Sequence, residues 1–378
     1  MSTVDDPPRV ATSDQPGSPA APATPAVPAA VRGPRRRAGR ALTVLAGAWL
    51  AFVVAHRLLS GRWWLWLAPE LTPPLAFVAV PVLLLALAGL AGPARGRVAL
   101  LAAAALALGA GLSGLNPAVL RTPPPAPADA LRLVSWNTTV WNETDDADAF
   151  YASLTARRAD VYLLQEYKPA DDPARRDADL ARLRREFPGY QVAARGELVT
   201  LTRFPIVGVA ALPADPPPGS DWRTDYWEVK SLRTDLRIGA RTVSVYNTHI
   251  LVPLDLSSPL RATFYERRRE FFQRRETQYD ALAADLDRNP LPVLVAGDLN
   301  TSPAMADLDR LTDRLTDAGR AGGSAYPTSW TIAGQRWWRL DWTFVSRDWT
   351  VHRYRLRDAR GMSDHRVQET TLSLDGAR

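Results

Sequence analysis

The chain has 378 residues and no cysteine, which excludes disulfides, thiolate catalysis and cysteine-ligated zinc or iron–sulfur centres. Its length suits one large domain with additional segments, or two ordinary domains. The net charge of +6 comes almost wholly from arginine. Because heavy use of arginine, alanine and proline can follow genomic base composition, this charge gives little support to nucleic-acid binding.

The first 40 residues are predicted to form a disordered cytoplasmic tail. Residues 1–34 are rich in Pro, Ala, Ser and Thr and hold almost no large apolar side chains. Such a segment cannot bury enough surface to offset the entropy lost on ordering. An arginine-rich stretch, Arg32 to Arg40, follows and leads directly into apolar sequence.

Three apolar stretches between residues 41 and 115 predict three transmembrane helices. They are Ala41–Ala55, Leu75–Gly92 and Val98–Leu115. A spanning helix needs about 20 apolar residues, and about 17–25 is the working range. The alternatives are a signal peptide for the first stretch and a soluble helical hairpin for all three. A very long polar leader disfavours the former, and apolar residues on every helix face disfavour the latter.

Arginines around these stretches predict the orientation of the chain. Five precede the first stretch, and two lie between the second and third: Arg32, Arg35, Arg36, Arg37 and Arg40, then Arg95 and Arg97. Cytoplasmic loops carry an excess of positive charge, so we expect a multi-pass protein of the cell membrane whose chain beyond Leu115 is extracytoplasmic. Residues 116–129 are proline-rich and predict a stiff linker that holds the next domain away from the membrane.

Residues 130–378 alternate strand and helix signals and predict one α/β domain. Helices are expected over 145–158 and 261–289, with a shorter helical patch at 305–315. Apolar runs of strand length predict strands near 131–137, 160–166, 199–212, 226–236, 241–251, 292–300, 336–346, 349–358 and 365–374. This mixture favours a layered α/β sandwich.

Polar side chains recur where the predicted strands end. They are Asn137, Glu166, Asn247, His249, Asp298 and Asn300, with Asp341 inside a later strand and Asp364 and His365 just before the last one. A single Asp or Asn in such a place is usually a cap or turn residue. Recurrence at strand after strand instead indicates catalytic groups held by a rigid scaffold.

The segments SWN, LLQE, LTRFPI, NTHI, GDLNTSP, RLDWTFVS and SDH, in this order, resemble the motifs of the endonuclease/exonuclease/phosphatase superfamily. The resemblance covers residue 130 to about residue 374. It implies a four-layer sandwich of two packed mixed β-sheets with outer helices, here preceded by a transmembrane helical region. It also implies metal-dependent phosphoester hydrolysis, but it leaves the substrate open, because members act on DNA, RNA, phosphoinositides and sphingolipids.

The residue types agree with a magnesium site. Mg²⁺, or Mn²⁺ in its place, prefers carboxylate and amide oxygens, and it would neutralise a phosphodiester and stabilise the departing oxygen. Glu166 suits the chief ligand, with Asn137 beside it and Asp364 as a further ligand. The sequence does not decide between one metal ion and two.

The remaining polar residues suit the chemistry of water attack. Asp298 and His365 are the candidates for the group that orients or deprotonates water, and the sequence does not choose between them. Asp341 is predicted to hydrogen-bond the ring of His365 and fix its tautomer. His249 and Asn300 would donate hydrogen bonds to phosphate oxygens. Because alternate residues of a strand share a face, Asp298 and Asn300 are expected side by side on one strand.

We therefore expect a membrane-anchored, metal-dependent phosphodiesterase that acts on nucleic acid or a phospholipid headgroup, with no obligate protein partner evident. The alternatives are a phosphomonoesterase for an inositol-phosphate-like substrate, a non-catalytic binding protein on the same fold, and a transporter or sensor. All the expected catalytic positions are filled, and the spans lack central ionisable residues, which disfavours the last two. The segment QRWWRLDW suits base stacking or headgroup contact, but a core strand is favoured. His56, His352 and Arg203 are interpreted as structural.

Overall fold

The computed structural model describes residues 29–141, 146–167, 173–213, 222–253 and 262–375. A helical N-terminal region precedes two six-stranded mixed β-sheets. Apolar side chains from both sheets meet in a shared core, and helices cover the outer faces. The predicted four-layer α/β sandwich is confirmed.

Three helices form the N-terminal region: α1 (Ala29–Leu59), α2 (Ala76–Leu87) and α3 (Arg95–Gly109). Between α2 and α3 the chain reverses at Gly92, whose φ of 56° and ψ of −124° are not helical. The two helices then lie side by side, since a Cβ on Gly109 would stand only 2.8 Å from the carbonyl oxygen of Phe77. The helix α1 starts well before Arg40, so part of the predicted tail is helical, and residues 1–28 lie outside the described residues.

Within the described residues, two helical segments are long and apolar enough to cross a membrane, Arg35–Leu59 and Ala76–Leu112. The prediction of three spans is therefore not supported. The second and third predicted stretches fall into one segment that is broken at Gly92 and Pro93. Its halves α2 and α3 have 12 and 15 residues, each shorter than the roughly 20 that a span requires.

The first sheet has the strand order β13-β14-β1-β2-β4-β3, and the second has the order β5-β6-β7-β8-β12-β9. The strands of the first are β1 (Leu131–Asn137), β2 (Val161–Gln165), β3 (Gln191–Arg195), β4 (Leu198–Thr202), β13 (Trp349–Arg357) and β14 (Val367–Leu374). Those of the second are β5 (Ile206–Leu212), β6 (Ser231–Ile238), β7 (Arg241–His249), β8 (Val293–Asp298), β9 (Thr316–Asp317) and β12 (Asp341–Val345). A separate hairpin pairs β10 (Trp330–Ile332) with β11 (Gln335–Trp338).

Helices α4 (Ala147–Thr155) and α5 (Pro173–Glu186) cover the first sheet, and α7 (Ala262–Arg288) with the short α8 (Asp309–Thr312) covers the second. The long helix predicted over 261–289 is thus confirmed as α7. The strand predicted over 226–236 begins later, since residues 226–228 belong to the helix α6 (Trp222–Glu228) and β6 starts at Ser231. Asn247 joins the two sheets, since it accepts a hydrogen bond from Gln165 and donates to Leu164 and Val199.

The sandwich rests directly on the N-terminal helices. His56 in the last turn of α1 bonds the carbonyl of Ala304 at 2.7 Å, and the backbone N–H of Ala306 donates to the Ser60 hydroxyl at 3.0 Å. Beyond α3, Asn116 donates to the carbonyl of Gly322 at 3.0 Å. The proline-rich segment 116–129 therefore does not hold the sandwich away from the helices, because its first residue, Asn116, is already bonded to the sandwich.

Candidate active site

The candidate site lies where the carboxyl ends of the parallel pairs β1–β2 and β7–β8 meet. Asn137 ends β1, Glu166 follows β2, His249 ends β7 and Asp298 ends β8. The antiparallel strand β12 begins with Asp341, which lies directly opposite Asp298 in the ladder. The packing of the two sheets therefore collects these five side chains at one end of the sandwich.

Asn137 bridges two carboxylates that come from different sheets. Its Nδ2 donates to Glu166 Oε1 at 2.9 Å and to Asp298 Oδ2 at 3.0 Å. Asn137 and Asp298 are buried, whereas 24% of the Glu166 side chain is exposed. Glu166 thus forms the accessible side of a small cluster of oxygen-bearing groups.

This cluster fits a hard divalent cation. Glu166 and Asp298 offer carboxylate oxygens, which Mg²⁺ and Mn²⁺ prefer. Asn137 presents Nδ2 to them, and its Oδ1 accepts the backbone N–H of Thr139 at 3.0 Å. Burial raises the pKa of Glu166, and the nearby charge of His249 offsets this only in part. Two converging carboxylates in a buried setting are stabilised by a positive charge between them. A metal ion at this point would therefore meet the carboxylates of Glu166 and Asp298, and the role of Asn137 as a ligand stays a prediction.

Asp364, predicted as a further metal ligand, lies at the rim of the site. Thr139 Oγ1 donates to its Oδ1 at 2.6 Å, and Trp330 Nε1 donates to its Oδ2 at 2.8 Å. Its Oδ1 is 4.0 Å from Nε2 of His365. Both carboxylate oxygens already accept hydrogen bonds, so its role as a ligand stays a prediction.

Asp298 and Asn300 lie together because of a turn, and the prediction that one strand face presents both is wrong. The strand β8 ends at Asp298, whose Oδ1 accepts the backbone N–H of Asn300 at 2.9 Å. Asn300 has a φ of 46°, a left-handed conformation that asparagine tolerates better than most residues. Only glycine fits at position 297, before Asp298, since a Cβ there would lie 1.8 Å from the carbonyl oxygen of Thr248.

His365 and Asp341 form the predicted contact. His365 Nδ1 lies 2.8 Å from Asp341 Oδ2, and its Nε2 lies 3.6 Å from Asp298 Oδ2. Burial lowers the pKa of His365, but the charges of Asp341 and Asp298 outweigh it and raise that pKa to about 10. Asp298, Asp341 and His365 place three metal-ligating atoms within 4.8 Å of one another. The short hydrogen bond within this group favours a histidine–carboxylate pair over a second metal centre.

A second histidine–carboxylate pair escaped the sequence analysis. His249 Nδ1 lies 2.9 Å from Oε1 of Glu197, which also accepts a hydrogen bond from Lys230. Glu197 occupies the two-residue turn between β3 and β4, and it is fully buried. A glutamate beside a glycine is typical of an exposed turn, so the sequence position of Glu197 did not indicate a buried site residue. Lys230 did offer one, because the chain has only one other lysine.

Electrostatics tie this second pair together. Burial raises the pKa of Glu197, but the charges of His249 and Lys230 outweigh burial and lower that pKa to about 2. Burial also lowers the pKa of His249, and the charge and hydrogen bond of Glu197 reverse this effect and raise it. The Nε2 of His249 lies 3.2 Å from Asn300 Nδ2 and 3.7 Å from Asp298 Oδ2. The imidazole is thus oriented toward the same point as the carboxylates of Glu166 and Asp298.

The tryptophan- and arginine-rich segment divides between core and surface. Arg339 is buried, pairs with Asp317 through two 2.7 Å contacts and stacks 3.9 Å over the ring of Trp342. Trp337 in the hairpin is 42% exposed, so the core interpretation is wrong for this residue. Arg203 pairs with Asp160 at 3.6 Å and lies over the ring of Tyr190, which supports its structural interpretation.

Two mixed sheets packed face to face, with carboxylates and two carboxylate-bonded histidines at one end, define a phosphoesterase fold. The model of the Endonuclease/Exonuclease/phosphatase family matches residues 119–365. The chain belongs to this family, as its motifs had indicated, and hydrolases of this family are typically dependent on divalent metal ions. No curated protein matches the chain.

Several solved structures are similar to the chain. A family protein from Leptotrichia buccalis is 14% identical, with a TM-score of 0.47 over 65% of this chain and 100% of that chain. A mannosyl-6-phosphatase from Bacteroides thetaiotaomicron is 16% identical, with a TM-score of 0.45 over 65% of this chain and 100% of that chain. Sphingomyelinase C from Streptomyces griseocarneus is 19% identical, with a TM-score of 0.41 over 65% of this chain and 99% of that chain.

Proposed function

We propose that the protein is a divalent-metal-dependent phosphodiesterase that the N-terminal helices anchor in the cell membrane, with the sandwich on the extracytoplasmic side. One observation carries the chemical part of this proposal. Glu166, Asn137 and Asp298 converge on one point, and the Nε2 atoms of two carboxylate-bonded histidines face the same point. Such an arrangement suits the binding of an anionic phosphate ester beside a metal ion.

Each side chain has a role that follows from its partners. A metal ion held by Glu166 and Asn137 would neutralise the phosphate and stabilise the leaving oxygen. Asp298 orients the attacking water and takes its proton, because the raised pKa of His365 keeps that ring protonated at neutral pH. Asp341 keeps Nε2 of His365 directed at the site. His249 and Asn300 donate hydrogen bonds to phosphate oxygens as negative charge shifts in the transition state.

The cellular location rests on the N-terminal helices and on the distribution of arginine. The segment Arg35–Leu59 is long and apolar enough to cross a bilayer, whereas Ala76–Leu112 reverses at Gly92 and so emerges on the side at which it enters. The arginines before Ala41 favour a cytoplasmic N-terminus, and a single net crossing then leaves the sandwich on the extracytoplasmic side. Protease added to intact cells should therefore release a large fragment that contains the sandwich. Protection of that fragment until the membrane is broken would show that the orientation is reversed.

The substrate class is the first question for experiment. The full chain in detergent micelles should be assayed on bis(p-nitrophenyl) phosphate, a diester, and on p-nitrophenyl phosphate, a monoester, with Mg²⁺, with Mn²⁺ and with a chelator. We expect metal-dependent hydrolysis of the diester and little hydrolysis of the monoester. A preference for the monoester would support the phosphomonoesterase alternative, and no hydrolysis of either would support a binding protein. Single-stranded DNA and phospholipid vesicles then separate the two kinds of diester.

The matched variant for this assay is Glu166→Gln, which keeps the shape of the side chain and removes its charge. Because Glu166 is the accessible carboxylate of the cluster, we expect activity to fall by about 10²-fold or more and the metal concentration needed for activity to rise. Unchanged metal dependence in Glu166→Gln would remove this residue from the role of ligand.

A further inference from the structure

The segment that follows Asn300 is the place where the helical region meets the candidate site. We call residues 300–307 the Asn300 loop. It is buried almost throughout, although it contains only a single short turn of 3-10 helix. A buried segment without a ladder of its own needs partners for its backbone groups. Those partners come from two sides, the N-terminal helices and α7.

On the helical side, His56 offers a hydrogen bond of fixed direction. Its Nε2 lies 2.7 Å from the carbonyl oxygen of Ala304, and Trp66 Nε1 lies 3.3 Å from its Nδ1. Since an indole N–H group can only donate, Nδ1 is the acceptor and Nε2 carries the proton. His56 is 1% exposed, so it is a buried donor directed at one carbonyl of the Asn300 loop. The sequence had suggested only a structural role for His56 at the end of a span, whereas this directed hydrogen bond links it to the candidate site.

The fit between the helix ends and the loop is close at three further points. The hydroxyl of Ser60 accepts the backbone N–H of Ala306 at 3.0 Å. A Cβ on Gly61, whose φ is 65°, would stand 3.3 Å from the Cβ of Ala306. A Cβ on Gly114, after α3, would stand 2.8 Å from Cγ of Pro303. The loop therefore lies between the end of α1 and the end of α3.

On the other side, Arg275 of α7 holds the start of the loop. Its guanidinium donates to the carbonyl oxygens of Leu251 and Asn300 and to the hydroxyl of Thr301, the last at 2.8 Å. Arg275 is 1% exposed, and Tyr279 bonds the same hydroxyl at 2.6 Å. Both ends of the loop are thus fixed by buried polar contacts.

Asn300 depends on this support. Its φ of 46° is an unfavourable conformation that persists only where the surroundings determine it. In that conformation its Nδ2 donates to Ile250 O at 3.0 Å and lies 3.2 Å from His249 Nε2. A shift of the loop would move the donor that the proposed function assigns to a phosphate oxygen.

We propose that the N-terminal helices are part of the catalytic apparatus, and that His56 is a positioning residue that holds Asn300 in place through Ala304. This inference rests on the proposed function for the role of Asn300. The helical region thereby has a second task beside anchoring. The sandwich without its helices would keep the residues proposed to hold the metal ion, but it would lose the geometry of the Asn300 loop.

The test compares variants of the full chain on bis(p-nitrophenyl) phosphate, a small substrate for which access to a bilayer is irrelevant. His56→Leu removes the donor, and His56→Gln keeps an N–H group that can reach the carbonyl of Ala304. His352→Leu is the matched control, because His352 also bonds a backbone carbonyl, that of Pro124, but lies away from the site. Ser60→Ala is the milder variant, since it leaves His56 in place and removes the acceptor for Ala306 together with the hydroxyl that bonds Glu70.

We expect His56→Leu to lower kcat about tenfold, with KM and the metal requirement nearly unchanged, since misplacement of a positioned group mainly costs rate. His56→Gln should recover most of this loss, Ser60→Ala should cost about threefold, and His352→Leu should have no effect. A second readout does not depend on activity: amide hydrogen exchange in residues 300–307 should be faster in His56→Leu than in the control.

The outcomes separate the two proposals. If the wild-type chain hydrolyses no phosphoester, the proposed function fails, and the exchange rates still decide whether His56 holds the loop. If the wild-type chain is active and His56→Leu keeps its kcat and its exchange rates, the positioning role is overturned. A loss that His56→Gln does not recover, or one that His352→Leu shares, also overturns it. If His56→Leu does not fold, Ser60→Ala decides whether the positioning role holds, through its kcat and its amide exchange in residues 300–307.

Discussion

The two histidines of the site are alike in geometry and differ in how their carboxylates are shared. Nδ1 of His365 bonds Asp341 at 2.8 Å, and Nδ1 of His249 bonds Glu197 at 2.9 Å. Nε2 of each lies within 3.7 Å of Asp298 Oδ2. Among the described residues, Asp341 forms no other ion pair, whereas Glu197 also pairs with Lys230.

This difference changes the charge that each imidazole experiences. Asp341 acts on His365 alone and, with Asp298, raises its pKa to about 10 against the opposing effect of burial. Glu197 divides its charge between an imidazole and an ammonium group, and Lys230 lowers the pKa of His249 while Glu197 raises it. Lys230 thus partly cancels the effect of Glu197 on the pKa of His249, and no such cation stands beside Asp341 among the described ion pairs.

The largest effect is expected from the unshared pair. Asp341→Asn should leave the fold intact but present the wrong group to the ring N–H of His365, and His365→Ala removes the ring. Each should lower kcat by about 10³-fold, because residues of one catalytic unit are lost together. The double variant should be barely worse than His365→Ala alone.

These variants form a double-mutant cycle. Its control is the thermal unfolding midpoint of each variant, which reports whether the fold is kept. If the two losses in kcat multiply, Asp341 and His365 act independently and the pair has no joint role. The same cycle on Glu197 and His249 then shows whether the shared pair behaves in the same way.

A smaller loss is expected from Glu197→Gln. His249 is assigned to a phosphate oxygen, and removal of one such donor typically costs about 10²-fold in kcat. The amide keeps a partner for the ring but removes the charge that stabilises the imidazolium. A loss in kcat as large as that of Asp341→Asn would contradict the difference between the two pairs.

Lys230→Met tests the sharing directly. Glu197 and Lys230 are both buried, and an uncompensated buried charge costs about 3 kcal/mol or more of folding free energy. The loss in Lys230→Met should be smaller than this, because His249 still pairs with Glu197. Glu197 then acts on His249 alone, so the second pair becomes like the first. We expect a clear fall in the unfolding midpoint and a loss of activity below about tenfold, because the site itself stays complete.

The double variant Glu197→Gln with Lys230→Met is the control for this stability effect. It removes the buried carboxylate together with the lysine, so its unfolding midpoint should lie above that of Lys230→Met. A midpoint equal to or below that of the single variant would show that the two groups do not interact as the structure indicates.

Much of the site was predictable because its residues stand where buried strands end. Asn137, Glu166, His249, Asp298 and Asp341 each follow or begin an apolar run, and the sheets bring all five together. The two-sheet fold was predictable for the same reason, since strand and helix signals alternate along the sandwich.

What could not be predicted depends on contacts between distant parts of the chain. Glu197 reaches the site because a two-residue turn points inward, and a turn carries no periodic pattern that reports its burial. His56 bonds Ala304, 248 positions later in the chain, and no local signal encodes this contact. The prolines after residue 121 predicted separation of the sandwich from the helices, but Asn116 had already bonded the sandwich before them.

A third buried carboxylate, that of Glu70, differs from those of Asp341 and Glu197, because it forms no ion pair with the described residues. It lies in the connection between α1 and α2 and accepts the backbone N–H of Gly61 at 2.9 Å. Burial raises its pKa from 4.5 to about 7, and the charge of Asp307 adds to this, while Ser60, Gly61 and Arg275 lower it. Glu197, by contrast, has two cations within hydrogen-bond reach.

The smallest effect is therefore expected from Glu70→Gln, and it should depend on pH. A carboxyl with a pKa raised on folding stabilises the folded state fully below its unfolded pKa of 4.5, and this stabilisation is lost as pH rises through about 7. Glutamine stays neutral, so the variant keeps its stability over that range. The unfolding midpoint of Glu70→Gln should thus match that of the wild-type chain near pH 4.5, exceed it increasingly up to about pH 7, and keep a constant lead above that pH.

The direction of this pH dependence discriminates between two views of the contact between helices and sandwich. If Glu70 were paired like Glu197, its pKa would be low, and the variant would be less stable than the wild-type chain at neutral pH. A gap between the two midpoints that stays constant with pH would mean that Glu70 titrates alike in both states and is accessible to water. A gap that opens above pH 5 requires a buried carboxyl that resists ionisation, so it would place Glu70 within a closed contact beside Asp307 of the Asn300 loop.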